Sequence, residues 1–166
     1  MNKVACIFGG TGFLGRMIVH QLCAAGWRVR VATRYPNSAY DLKPSGVVGQ
    51  VAGVQTDLDD PTPAIEGCDA VINCIGILYE KGKNTFDRLH TQFPETLAKA
   101  CAEAGIPRLI HISALGVDTS QSQYAKSKAE GEARVLEHYP NATILRPSII
   151  FGPDDGFFNL FASLSC

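Results

Sequence analysis

Apolar positions along this chain recur with two periods, and the two periods alternate. Residues 3–8 form a short apolar run that predicts a buried strand. Leu14, Ile18, Leu22 and Ala25 then recur at helical spacing, and Gly26 supplies a stop. Residues 28–33 alternate apolar and polar side chains and predict a second strand. Pro36, Asn37, Ser38 and Pro44 make residues 35–45 a loop or a broken helix. Residues 47–54 are apolar and β-branched, interrupted by Gly49 and Gly53, and predict a third strand. Residues 61–66 suit a short helix, and 70–75 a buried strand. Phe86, Leu89, Phe93, Leu97, Ala100 and Ala104 keep helical spacing, with Pro94 expected to start the second part of that helix or to kink it. Gly105 and Pro107 end it. Residues 108–113 and 142–145 read as strands, with a helix over 124–138 between them. Helices of this length between apolar strands predict parallel βαβ units, and hence an α/β doubly wound sheet with helices on both faces.

The junction of the first strand and first helix carries the most informative residues. Gly9, Gly10, Thr11, Gly12, Phe13, Leu14 and Gly15 follow the strand at once. A dinucleotide-phosphate site needs strand, glycine turn and helix in that order. A glycine can take positive φ at the turn, and a missing Cβ lets the backbone approach a pyrophosphate. The helix that follows aims free N–H groups and its positive end at the negative charge. Both Gly9, Gly12, Gly15 and Gly10, Gly12, Gly15 fit; an ordinary tight turn is the alternative.

Composition narrows the picture further. Of 166 residues, 46% are hydrophobic and 19% charged, the balance of a globular chain with a real core. Net charge is −1, and no basic cluster is denser than Lys81 with Lys83 or Lys126 with Lys128, so nucleic acid is not an expected partner. No apolar run approaches the roughly 18 residues of a membrane span. The N terminus opens as a strand rather than as a signal peptide. Cys6, Cys23, Cys68, Cys74, Cys101 and Cys166 form no CxxC pair and lie mostly in apolar segments. They are expected to be reduced thiols of a cytoplasmic protein, with no metal site.

Ligands of open α/β sheets bind beyond the carboxyl ends of the strands. The polar residues there can therefore be taken together. Strand two ends at Thr33 and Arg34, where many NAD sites carry an acidic residue. A guanidinium suits a 2′-phosphate and favours NADP(H) over NAD(H); a solvated surface arginine is the alternative. Asp57 and Leu58 follow strand three, where the carboxylate would take the adenine amino group or else close a turn. Strand four runs into Asn73, Cys74, Ile75 and Gly76, where the backbone can pass close to a ribose. Strand five ends at Ser113, and Tyr124 and Lys128 follow on one helix face, four residues apart. A lysine cation near the phenol would lower its pKa and make it a general acid/base. A plain amphipathic helix with Ala125, Ala129 and Ala133 inward is the alternative.

In this order the motifs resemble an extended or atypical short-chain dehydrogenase/reductase. The resemblance rests on the glycine run, Asp57-Leu58, Asn73 to Gly76, Ile112 to Gly116, Tyr124 to Lys128 and Leu145 to Pro153, and covers nearly the whole chain. The stretches His111 to Gly116, Tyr124 to Glu132 and Phe151 to Asn159 are most similar to bacterial relatives of the Rossmann-type accessory subunit of respiratory complex I, usually labelled NAD-dependent epimerase/dehydratase-like proteins. The resemblance implies a catalytic set of Ser113, Tyr124 and Lys128. It also implies a coenzyme site formed by Gly9, Thr11, Gly12, Phe13, Leu14, Gly15, Arg34, Asp57, Leu58, Asn73, Gly76 and Lys128. His90 stands near where many extended members carry an asparagine, and Pro94 is unexpected in that helix. Family members are about twice this long. Residues 1–153 are expected to be the NAD(P)-binding domain, and 154–166 the start of a substrate lobe that the chain largely lacks.

Two functions follow from the resemblance. One is an NAD(P)(H)-dependent enzyme, either a nucleotide-sugar epimerase or dehydratase or a reductase of a small-molecule substrate. The other is a non-catalytic NADP(H)-binding accessory or assembly module of a respiratory NADH dehydrogenase complex, peripheral at the cytoplasmic face of the membrane. A Rossmann domain without coenzyme is a third reading, against which the intact glycines stand. The apolar Phe157, Phe158, Leu160, Phe161 and Leu164 lead to an expectation of self-association for a chain that ends here.

Overall fold

A computed structural model describes residues 3–46 and 49–152. Six strands form one all-parallel sheet: β1 (Val4–Phe8), β2 (Arg28–Thr33), β3 (Val51–Gln55), β4 (Ala70–Asn73), β5 (Leu109–Ile112) and β6 (Thr143–Leu145). Their order, β3-β2-β1-β4-β5-β6, reverses direction between β1 and β4. That reversal opens a crevice above the carboxyl ends of the two central strands. The expected α/β doubly wound sheet is therefore the observed fold. The apolar tail from Phe157 onward, with the expected second domain, lies outside the described residues.

Side-chain alternation splits the core in two. Cys6, Phe8, Val71 and Leu109 face α2 (Thr62–Ile65), α3 (Phe93–Glu103) and α4 (Gln123–His138), burying Ile65, Phe93, Leu97 and Val135. Ile7, Val29, Val31 and Ile72 face the other way, against α1 (Phe13–Ala24) and a 3-10 stretch, Pro36–Ser45. The residues left open as loop or broken helix are this stretch; its Ala39 and Leu42 are buried. Gly53 admits it, since a Cβ there would lie 2.5 Å from the Pro36 carbonyl oxygen.

Two strands differ from the sequence expectation by more than one residue. β3 occupies 51–55 rather than 47–54, and residues 47 and 48 are not described. β4 stops at Asn73 rather than at residue 75. The Asn73 Oδ1 accepts the Ile75 N–H at 3.0 Å, which bends the chain out of the sheet.

Pro94 starts the second part of the long helix, as expected, and stands in the first turn of α3. The segment opens as a π-helical turn, Asp87–Gln92, and passes directly into α3. A proline ring excludes the carbonyl four residues earlier, here that of His90, and cannot donate to it. The wider π turn moves that carbonyl aside, toward α4. There it occupies the space where a Cβ on Gly131 would sit. Gly131→Ala must push the two helices apart, at about 1–3 kcal/mol for a forced overpacking. A melting temperature unchanged from the parent would refute this close approach.

β6 is anchored through Arg146. Its guanidinium holds the Glu132 carboxylate on α4 in a fork, at 2.9 Å from Nε to Oε1 and 2.6 Å from Nη2 to Oε2, and reaches Asp118 at 3.1 Å. The Glu132 side chain is only 8% exposed, so loss of its partner strands a buried charge. Arg146→Ala is expected to bring a clear loss in the urea midpoint, because it leaves the Glu132 carboxylate buried without its partner. Arg146→Lys should recover only part of it, because an ammonium cannot form the fork.

Candidate coenzyme and reaction site

The turn after β1 is built by absences. Gly9 sits at φ +78°, and a Cβ on it would lie 3.0 Å from the Cys74 carbonyl carbon. Gly12 N–H closes the turn on Gly9 O at 3.0 Å. A Cβ on Gly15 would collide with that same oxygen, so α1 can start only this close to the turn because residue 15 is glycine. On Gly12, by contrast, a Cβ would meet nothing beyond Gly9 O at 3.3 Å, and its outer side opens on the crevice. Gly12 is the N-cap of α1, with no side chain capping it and no acidic residue in the first turn. The first-turn N–H groups are thus left to an external anion. Arg16 Nε donates to Thr11 O at 2.9 Å and braces the turn.

The crevice is a cleft of about 280 Å³. Gly9, Thr11 and Gly12 line it from β1, Arg34 from β2, Leu58 from β3, and Gly76 from β4. Six of the residues expected from the sequence are therefore brought together there. Phe13, Leu14 and Gly15 instead shape α1; the Phe13 ring lies against Gly152. Arg34 is exposed, and among the described residues its side-chain partner is the Tyr35 ring, 5.9 Å away.

Two more of the expected residues do not line the cleft. Asp57 does not line the cleft; its Oδ1 accepts from Asp59 N–H at 3.2 Å, the turn-closing alternative. Asn73, expected in the ribose wall, is buried behind it. Its Oδ1 is taken by Ile75 N–H, and its Nδ2 donates to His111 Nδ1 at 3.2 Å. The wall itself is the chain from Cys74 to Ile77 that this side chain holds in place.

α4 begins at a well-formed cap, Ser122 Oγ accepting from Ala125 N–H at 3.1 Å. Its inner face buries Ala125, Lys128, Gly131, Glu132 and Val135, while Ala133 is exposed. A plain amphipathic helix would not turn Lys128 and Glu132 inward. Lys128 is 2% exposed, and its Nζ donates to Ile112 O at 2.7 Å, at the end of β5. Burial pulls its ammonium down to about 8, against the opposing pull of Glu132 and Cys74. Ser113 follows Ile112, and its buried Oγ has no hydrogen-bond partner among the described residues. His111 Nε2 is likewise buried and unpartnered. Burial, with Lys128 and His90 nearby, pulls the His111 imidazole down to about 3. The neutral ring accepts from Asn73 at Nδ1, so Nε2 carries the idle proton.

Tyr124 stands one turn before Lys128, half-buried and edge-on to the rings of His90 (5.4 Å) and Phe86 (6.0 Å). The sequence led to an expectation of a lowered phenol pKa. The structure gives the opposite direction: burial raises it. Lys128 directs its ammonium to the Ile112 carbonyl, and the rings packed beside Tyr124 keep water from a phenolate. Ser127 and His111 escaped the sequence reading. The polar His111 inside an otherwise apolar strand, two residues before Ser113, was the available signal.

A family model described as NAD(P)H-binding matches residues 9–156. The chain is 38% identical, over 96% of its length, to the mitochondrial NADH dehydrogenase [ubiquinone] 1 alpha subcomplex subunit 9 of Mus musculus, covering 44% of that protein. It is 36% identical, over 96% of its length, to a ceramide reductase of Caulobacter vibrioides, covering 51% of it. The chain thus spans about half the length of these relatives. Among solved structures, UDP-glucuronic acid 4-epimerase from Bacillus cereus in complex with NAD superposes with a TM-score of 0.75 at 19% identity, over 98% of this chain and 63% of that one. That likeness is one of fold. An uncapped helix start, a turn closed to a Cβ at Gly9 and Gly15 and a cleft at the strand-order reversal are what a dinucleotide pyrophosphate requires, and with the match over residues 9–156 they make this chain a member of the NAD(P)H-binding family.

Proposed function

We propose that the chain is the coenzyme-binding part of an NADP(H)-dependent reductase that acts on a carbonyl compound with a substantial apolar portion. One observation carries this reading: the unpartnered Ser113 Oγ lies next to the Ile112 carbonyl that holds Lys128, with Tyr124 one helical turn away. The coenzyme, when bound, supplies a hydride. Tyr124 gives its proton to the carbonyl oxygen as that oxygen gains charge. Ser113 Oγ holds the same oxygen, and Lys128 takes the nicotinamide ribose hydroxyls. The glycine turn, with Gly9, Thr11 and Gly12, takes the pyrophosphate, and Gly15 lets α1 start close to it. Arg34 takes the 2′-phosphate, and Leu58 packs on the adenine. Asp57 reaches the adenine amino group only if it leaves its turn. Gly76 borders the ribose, with Asn73 bracing the wall behind it.

The raised pKa of Tyr124 supports reduction, since a protonated phenol is the form that donates. Leu78, Leu115 and Ile149 stand 65%, 69% and 60% exposed on the segments leaving β4, β5 and β6. An apolar rim on that side supports a lipid-like ketone over a nucleotide sugar, in keeping with the name of the Caulobacter relative. The test is NADPH oxidation by the full-length protein against long-chain ketones and nucleotide sugars, followed by absorbance with product chromatography. Turnover of the ketones is expected; turnover of nucleotide sugars alone would overturn the substrate class.

The similarity to a respiratory-complex subunit supports a second reading, in which NADP(H) binds tightly and the protein docks on a membrane complex. Among the described residues no helix is long and apolar enough to cross a membrane. NADPH retained through purification with no substrate turned over would favour this reading.

A further inference from the structure

His90 is fully buried, yet both of its ring nitrogens are engaged. Its Nε2 accepts the Ile77 N–H at 3.1 Å, so the ring proton resides on Nδ1. Nδ1 lies 2.9 Å from Ser127 Oγ and donates to it. Ser127 Oγ in turn donates to the Tyr124 carbonyl at 2.8 Å. The chain of bonds runs from the cleft wall to the first turn of α4 without a break. Ring contacts follow the same line: Phe86 stacks on His90 at 5.3 Å, and Tyr124 meets both edge-on. The displaced His90 carbonyl sits against Gly131, so the backbone of this residue is wedged to α4 as well.

We propose that His90 is a positioning residue: as the neutral, Nδ1-protonated tautomer it ties the coenzyme wall at Ile77 to the helix turn that carries Tyr124. Its role differs from that of a proton relay, because neither nitrogen faces the cleft with a free proton. The titratable groups around it are Lys128 and Tyr124 on α4 and His111 on β5. Protonation would remove the acceptor from Ile77 and set a second cation near Lys128; burial and Lys128 accordingly hold the imidazole down to about 4. The turnover part of the proposal rests on the reductase reading, while the coenzyme-wall part does not.

Three variants of the full-length protein separate the two bonds. In His90→Gln an amide oxygen can take the Nε2 position and keep the Ile77 bond while losing Ser127. In His90→Asn an amide nitrogen can take the Nδ1 position and keep Ser127 while losing Ile77. Ser127→Ala cuts the chain beyond the histidine. His90→Asn is expected to weaken NADPH binding by about tenfold, the effect of one hydrogen bond, and more than His90→Gln does. His90→Gln and Ser127→Ala are expected to lower kcat by about tenfold to a hundredfold through misplacement of Tyr124, and more than they raise the KM for NADPH. Nitrogen-15 spectra of the parent protein should show a neutral histidine protonated at Nδ1. An Nε2-protonated His90, or variants in which affinity, kcat and melting temperature all fall together, would overturn the proposal. If no substrate turns over, the reductase reading fails; the tautomer and the ordering of NADPH affinities then decide this one.

Discussion

Tyr124→Phe in the full-length protein is expected to lower turnover by about 10²–10⁴-fold, the usual contribution of a positioned general acid. NADPH affinity should change little, because the glycine turn, Arg34 and the chain from Cys74 to Ile77 line the cleft without the phenol. Phenylalanine keeps the ring that packs edge-on to His90 and Phe86, so a loss of activity would belong to the hydroxyl and not to repacking. The pH profile carries a second check. Lys128 is pulled down to about 8, so in the free protein its charge is present below that pH and is lost as pH rises through it. The alkaline limb of kcat/KM should therefore fall near pH 8, well before an ordinary lysine or an ordinary tyrosine would titrate. An unchanged rate in Tyr124→Phe, measured on whichever substrate the parent protein turns over, would remove the phenol from the mechanism.

The same residues show which parts of the molecule can be read along the chain. The central strands are buried on both faces, so they announce themselves as short apolar runs between glycines, and β1 and β2 lie where the pattern puts them. The glycine turn and the pairing of Tyr124 with Lys128 are local spacings, legible for the same reason. Other features depend on partners far away in sequence. The π turn arises because Pro94 displaces the His90 carbonyl, and it is tolerated because Gly131, some forty residues on, has no side chain. β4 ends early because of a side-chain bond that Asn73 makes to its own backbone, a choice of rotamer and not of composition. The direction of the Tyr124 shift is set by desolvation among Phe86 and His90, residues on another element. Spacing alone put Lys128 beside the phenol; only the fold revealed that its ammonium goes to the Ile112 carbonyl. Asp57 was legible as either of two things, and the fold chose the turn.

Arg34→Glu is the substitution expected to change coenzyme choice. Arg34 follows the last residue of β2, borders the cleft and is exposed, with the Tyr35 ring as its side-chain partner among the described residues. Among the described residues no carboxylate pairs with it, so its charge is open to an anion at that end of the cleft. A 2′-phosphate there would receive charge-assisted hydrogen bonds from the guanidinium, each contributing about 1.5–3 kcal/mol. Losing one of them weakens NADPH by about tenfold to a hundredfold. The carboxylate adds repulsion of the same phosphate, so the expected loss exceeds the tenfold end of that range. NADH lacks the phosphate, and a glutamate at this position can accept from the ribose hydroxyls as acidic residues do in NAD sites. Its affinity should therefore hold or rise, and the ratio of the two affinities should reverse. Titration of both coenzymes by nicotinamide fluorescence, at two salt concentrations, measures this directly. A preference for NADPH that rests on this charge should shrink at the higher salt, where an exposed charge pair is screened. Equal affinities of the parent protein for NADH and NADPH, or equal losses of both in the variant, would show that Arg34 does not read the phosphate.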